Sequence, residues 1–232
     1  MRPYLTFILL LTAGRIFGQD FAYPAIVEKA ASLNDFVPKG WSILDSATGD
    51  LNNDRLPDAV LVLQHNDSVL LVKNEDFADT VKTQPRILAV LFKSATDHLF
   101  HLKEQADSFI LTHDNVFTDD PYQSVTIKKG ILQVDFYWYP TGGNWFHSNV
   151  YKFRYQQNDF FLIGAEYEER NKATSDFNKY SYDFLMKRRV VTIGNDFRKS
   201  RRTEIQPVNI VKMQTIKTLK PYTAEVGDGI EL

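Results

Sequence analysis

Between Gly49 and Asp58 the chain reads Gly-Asp-Leu-Asn-Asn-Asp-Arg-Leu-Pro-Asp, which sets oxygen-bearing side chains at Asp50, Asn52, Asp54 and Asp58. Counted from Asp50, these are positions 1, 3, 5 and 9 of one short loop, and the carbonyl of Leu56 falls at position 7. Alternate side chains of a tight loop converge on one point, and calcium is a hard cation that takes about six to eight oxygens. Three carboxylates held that close repel one another unless a cation lies between them. The expected cofactor is therefore calcium, held as a structural staple by Asp50, Asn52, Asp54, the Leu56 carbonyl and Asp58.

Other constellations carry weaker chemistry. Tyr137 and Tyr139 lead into Pro140-Thr-Gly-Gly-Asn144, followed by Trp145, Phe146 and His147. Flat rings beside hydrogen-bonding Asn144 and His147 suit stacking on a sugar or a peptide, so Tyr137, Tyr139, Asn144, Trp145 and His147 form a candidate ligand-binding set. The same rings equally suit the second layer of a two-sided sheet. Asp114, Asp119, Asp120 and His147 are the groups that acid/base hydrolysis would use. His98 and His101, three apart, would point to opposite faces of a strand, which disfavours a paired zinc site. Lys187, Arg188, Arg189, Arg198, Lys199, Arg201 and Arg202 flank strand-like Val190 to Ile193 and read as a charged hairpin that protects a sheet edge or, in an envelope compartment, as cations that meet anionic lipid head groups or acidic glycans.

An EF-hand would place an acidic ligand at position 12 of the loop, but that residue is Leu61, and a strand-like run follows instead of a helix. The segment from Asp50 to Asp58 resembles the calcium loops of FG-GAP repeats, the blades of integrin-α-type propellers, and of related bacterial extracellular repeats. That resemblance implies side-chain ligation by Asp50, Asn52, Asp54 and Asp58 and carbonyl ligation by Leu56. It also implies a positive φ at position 6, where the repeats carry glycine and this chain carries Arg55. It covers the loop and the strand after it; a single copy does not make a propeller.

The elements that must position these groups are mostly strands. Leu132, Val134, Phe136 and Trp138 alternate with Gln133, Asp135, Tyr137 and Tyr139, the period of a half-buried strand with its first set facing the core. Ala59 to Leu63, Val69 to Val72 and Ile87 to Phe92 are continuous apolar runs, expected where strands are covered on both faces. Lys129-Gly130 and Gln157-Asn158-Asp159 mark hairpins, and a looser one is expected between Leu99 to Lys103 and Phe109 to His113. Tyr23 to Leu33 reads as a short helix, with Pro24 in its first turn and Ile26, Ala30 and Leu33 on one face. Ile210 to Leu219 also has helical spacing. The fold class expected is mainly β: an antiparallel β-sandwich or rolled sheet with a short N-terminal helix.

Arg2, an apolar run from Tyr4 to Ala13 and a break at Gly14 to Gly18 have the order of an export signal, with cleavage leaving Gln19 at the new terminus. The organisation expected is 1–18 signal peptide, 19–38 helical lead-in, 39–206 β-rich domain and 207–232 tail. No second long apolar stretch follows, so the mature form has no transmembrane segment. The chain has no Cys, which excludes thiolate chemistry, disulfides and a bacterial lipid anchor. Its 27 Lys and Arg against 29 Asp and Glu, net −2, argue against a nucleic-acid partner. The functional expectation is an exported, periplasmic or extracellular, calcium-stabilised binding or structural module of the bacterial cell envelope, with a glycan or envelope component as partner. The alternative is a secreted hydrolase of cell-wall or glycan polymers.

Overall fold

The structure, a computed structural model, describes residues 21–74, 79–209, 213–219 and 221 of the 232. Residues 1–18, expected to be an export signal, and the chain end with Gly227 and Gly229 lie outside the described residues. Fourteen strands run through the rest: β1 (Lys29–Ala30), β2 (Trp41–Gly49), β3 (Asp58–His65), β4 (Val69–Asn74), β5 (Asp79–Thr83), β6 (Arg86–Lys93) and β7 (Phe100–Ala106), then β8 (Tyr122–Lys128), β9 (Ile131–Trp138), β10 (Trp145–Gln156), β11 (Asp159–Asn171), β12 (Asp176–Asp183), β13 (Arg188–Asn195) and β14 (Ser200–Pro207). A five-stranded sheet has the order β1-β7-β6-β3-β2, and a seven-stranded sheet runs as an antiparallel meander from β8 to β14. The fold is mainly β with antiparallel sheets, and a sandwich describes it.

The two sheets share one core. Val60, Val62, Leu88 and Val90 of the first meet Leu132, Val134, Phe136, Tyr151, Phe153 and Leu162 of the second. Side chains alternate along a strand, so Ala59, Leu61, Leu63, Ile87, Ala89 and Leu91 point the other way. They form a second buried cluster with Ile26, Phe36 and Trp41, against which Phe21 and Tyr23 pack. This double coverage is why β3 and β6 read as unbroken apolar runs. Val69 to Val72 has the same pattern and a different fate: β4 pairs only with β5 in a separate two-stranded ribbon, and Leu70 is exposed.

The sheets also meet along one seam. A bulge in β2 between Ile43 and Asp45 turns the Asp45 carboxylate toward β8, where it accepts hydrogen bonds from the Tyr122 hydroxyl at 2.7 Å and the Val125 amide at 3.1 Å. Burial, with help from that carboxylate, pushes the Tyr122 phenol far above its ordinary pKa. A methyl group on Gly49 would lie 2.5 Å from Ile127 Cγ2, so only glycine lets the strands approach this closely.

Several expectations are corrected. Residues 23–32 form no helix: Ile26 N donates to Gln105 Oε1, Leu102 N donates to Glu28 O, and Lys29–Ala30 pair with β7, so the segment is bound as a sheet edge. The only helical turn among the described residues is a 3-10 turn, Leu33–Phe36, capped by Ser32. Phe109 to His113 is not a strand; Phe109 and Ile110 instead fill the core as the chain crosses between sheets. Residues 213–219 are not helical, and Ile216 and Leu219 are buried in the shared core while Lys217 pairs with the buried Glu104 at 2.8 Å. The β-rich body thus begins before residue 39 and continues past 206. Both tight hairpins are present: Lys129-Gly130 and Gln157-Asn158 have positive φ at both central residues, the geometry of primed turns.

Phe109 sits edge-on to Phe153 at 5.2 Å, Tyr151 at 5.9 Å and Phe136 at 6.1 Å, fully buried. Phe109→Ala should lower unfolding stability by about 3–5 kcal/mol through lost contacts and a cavity. Urea unfolding checks this; a loss under about 1 kcal/mol would show that the crossover does not hold the sheets together.

Candidate metal loop and aromatic surfaces

Residues 50–57 connect β2 to β3, so the hairpin at the β2 edge of the first sheet also carries the acidic loop. Its backbone is folded by its own side chains. Asn52 Oδ1 accepts from Asp54 N at 3.0 Å, Asp54 Oδ1 from Leu56 N at 2.8 Å, and Asp50 Oδ2 from Arg55 N at 2.9 Å. The first two are Asx-type turns, in which a short polar side chain replaces a backbone acceptor, and the third ties the start of the loop to its middle. Arg55 has φ +69 and Asn53 φ +64. Position 6 therefore takes the left-handed conformation that favours glycine, at the steric expense of a β-carbon.

Asp58 closes the loop. It is 0% exposed, its Oδ2 accepts from Leu51 N at 2.8 Å, and its Oδ1 accepts from Lys93 N, at the end of β6, at 3.0 Å. Burial raises its pKa; the amide bonds from Leu51, Lys93 and Asn52 pull it back down, and the nearby Asp54 charge raises it. Asp50 Oδ1 is buried and has no hydrogen-bond partner among the described residues. A buried carboxylate oxygen without a donor costs on the order of 1–3 kcal/mol and calls for a water or an ion. No group of three His, Cys, Asp or Glu side chains is gathered for a metal among the described residues. That includes Asp50, Asp54 and Asp58 of the loop, which hold hydrogen bonds instead; with Asn52 and the Leu56 carbonyl, all five donors are still the hard oxygens calcium selects.

The candidate ligand-binding set is divided between two faces. Cross-strand partners share a face, and His147 pairs with Trp138 while Ser148 pairs with Tyr137. Trp145 and His147 consequently lie on the side of Trp138 that faces the first sheet, and Tyr137 and Tyr139 lie on the outer side. There the two tyrosines join Phe146, with centroids 5.6–6.3 Å apart, and Lys172 Nζ sits 4.7 Å from the Tyr139 ring centre. Asn144 contributes its carbonyl to Lys172 N at 2.8 Å. On the inner side His147 Nδ1 bonds the Tyr167 hydroxyl at 2.9 Å, and that hydroxyl donates to Glu169 at 3.2 Å. Lys172 and the row's inclusion of Phe146 depend on which strands become neighbours, which composition does not reveal.

Neither of two surface depressions gathers all four acid/base candidates. Asp114 and Asp120 line a cleft of about 540 Å³ with His113 and Arg86, beside the β4–β5 ribbon. Asp119 lines a shallower depression next to Asp45 and Tyr122, which Asp120 also lines, and His147 belongs to neither. Asp120 is engaged by a side chain that sequence reading passed over, Arg86, which is 3% exposed and also donates to Leu111 O and Gln64 Oε1. Burial alone would raise the Asp120 pKa, but the guanidinium holds it below the ordinary range, unsuited to giving a proton. A charge at the head of the apolar run Ile87 to Phe92 was the available signal. His98 lies in the turn before β7 with φ +58, while His101 of β7 bonds Asp97 and helps hold its carboxyl down at about 2.

The charged hairpin is formed by β13 and β14 at one edge of the seven-stranded sheet. Among the described residues no helix is long and apolar enough to cross a membrane. No family model matches the chain, and no curated protein or solved structure matches it.

Asp120→Asn would leave the Arg86 charge buried beside a neutral amide, and should cost about 2–4 kcal/mol at neutral pH. A carboxyl whose pKa is lowered by folding stabilises the protein above its unfolded value and loses that effect as pH falls through the folded value. The gap between wild type and variant should therefore narrow as pH drops below about 4. Denaturant unfolding at several pH values checks this, and a gap independent of pH would contradict the pairing.

Proposed function

We propose that the protein is an exported, calcium-stabilised β-sandwich serving as a binding or structural module of the bacterial cell envelope, in the periplasm or outside the cell. The observation that carries the calcium reading is the buried Asp50 Oδ1, which has no hydrogen-bond partner inside a loop of five oxygen donors. The left-handed Arg55 supports it, because that is the conformation the resembling FG-GAP loops assign to glycine. Asp50, Asn52, Asp54, the Leu56 carbonyl and Asp58 hold the ion, whose role is to neutralise the loop and fasten β2 to β3. Export rests on the order of charge, apolar run and small residues in the first 18 positions.

The envelope component recognised is assigned to the outer row of Tyr137, Tyr139 and Phe146, which suits a glycan ring; Trp145 and His147 are left out of that surface by their strand parity. A module is favoured over a secreted hydrolase because neither depression gathers all of Asp114, Asp119, Asp120 and His147, and Asp120, the one residue common to both, is bound to Arg86.

Thermal unfolding with excess chelator and then with calcium tests the reading, with Asp54→Ala as control. Calcium at about ten times its dissociation constant adds about 1.4 kcal/mol, which for a chain of this size raises the midpoint by roughly 3–6 °C. The variant should show no rise. An unchanged wild-type midpoint at millimolar calcium would reduce the loop to a surface turn.

A further inference from the structure

The seven-stranded sheet is wider than the sheet it covers. Its strands contribute to the shared core as far as β12, through Tyr182, while β13 and β14 contribute nothing to that core. The overhanging hairpin carries, from Lys187 to Arg202, seven Lys and Arg against the single acid Asp196. That acid is occupied, bonded by Arg170 and lying 3.5 Å from Arg201. The turn at the tip is Asp196-Phe197-Arg198-Lys199, and Phe197 is 85% exposed. Arg198, Lys199 and Arg202 make no salt bridge with any described residue.

In a meander the turns alternate ends, so this tip shares an end with the loops between β9 and β10 and between β11 and β12. Those loops bring Tyr139, 38% exposed, Trp145, 41% exposed, and Lys172 to the same end. The acidic loop is at the other end: a β-carbon on Gly130, in the turn between β8 and β9, would sit 3.6 Å from Asn53 Oδ1.

We infer that the hairpin tip docks on an anionic lipid surface, with Phe197 entering the headgroup layer and Arg198, Lys199 and Arg202 on the lipid phosphates. Phe197 stands among cations at the tip, and the exposed Ile193 and Ile205 lie apart from it along β13 and β14, so the hairpin offers too little contiguous apolar area for a protein partner. A soluble acidic polymer would satisfy the cations and give the ring nothing. An anionic bilayer satisfies both at once, because basic side chains extend to the phosphates while the ring enters the boundary between headgroups and acyl chains. The inference takes from the proposed function only export, which brings the protein to a membrane surface; it is independent of calcium.

Sedimentation with phosphatidylglycerol–phosphatidylcholine vesicles, in chelator throughout, tests it on the soluble protein with its N-terminus fixed by mass spectrometry. Binding should exceed that to pure phosphatidylcholine and weaken with salt. Phe197→Ser should reduce partitioning about tenfold, and Arg198→Glu with Lys199→Glu by at least about tenfold. Because all the substituted side chains are exposed, unfolding midpoints should stay at the wild-type value. Equal binding to both vesicle types, or equal binding by wild type and either variant, overturns the inference; the second result with Phe197→Ser alone indicates an acidic polymer. Asp54→Ala should bind vesicles like wild type, so failure of the calcium reading and failure of the lipid reading remain distinguishable.

Discussion

The architecture around the acidic loop depends on one carboxylate, Asp58, taken wholly out of water. A buried carboxylate is tolerated only when its oxygens are supplied with donors, and Asp58 takes one from each side. Leu51 N comes from the loop and Lys93 N from the end of the neighbouring strand β6. The same side chain therefore closes the loop and registers it against the sheet. Leu51, drawn inward by that bond, is itself part of the shared core. With the first and last residues of the loop so fixed, Asp50, Asn52 and Asp54 are confined to a small volume, and the charge they concentrate must be met by amides or by an ion.

Around that point the sandwich solves two packing problems with one sheet. The five-stranded sheet is covered on both faces, by the seven-stranded sheet on one side and by the lead-in with Ile26 and Phe36 on the other. Among the described residues the seven-stranded sheet is covered on one face, and its outer face is paved with ion pairs. Glu166 lies between Lys152 and Lys179, and Glu168 between Lys179 and Arg170. Burial would raise the Glu166 pKa, but the two lysines hold it below the ordinary range, so the carboxylate stays ionised. The aromatic row and the overhanging hairpin lie at the ends and edge of this sheet.

Much of this was legible from residue order. The alternation from Leu132 to Tyr139 assigned both faces of β9, and the runs Ala59 to Leu63 and Ile87 to Phe92 marked the doubly covered strands. The identical signal at Val69 to Val72 failed because a short apolar run does not say how many faces will be covered. The spacing of Ile26, Ala30 and Leu33 fits a helix turn, but the segment has a sheet edge to bind and is held to it through Gln105 and β7. Trp145 and His147 were grouped with Tyr137 and Tyr139 because they are close in sequence. Which face a strand presents after a turn is set by turn length, and one residue of register exchanges the faces. The Arg86–Asp120 pair and the Asp45–Tyr122 seam were illegible for a related reason, since both join residues brought together only by the closed fold.

The central claim, that the loop from Asp50 to Asp58 is an ion site keyed to the sheet by Asp58, is most directly tested by anomalous scattering from crystals grown in calcium. The account predicts one peak inside the loop, about 2.3–2.6 Å from Asp50 Oδ1 and the Leu56 carbonyl, with the Leu51 and Lys93 amides still bonded to Asp58. A map at the same calcium concentration showing only water against Asp50 Oδ1, or a peak elsewhere with the loop unchanged, would contradict it.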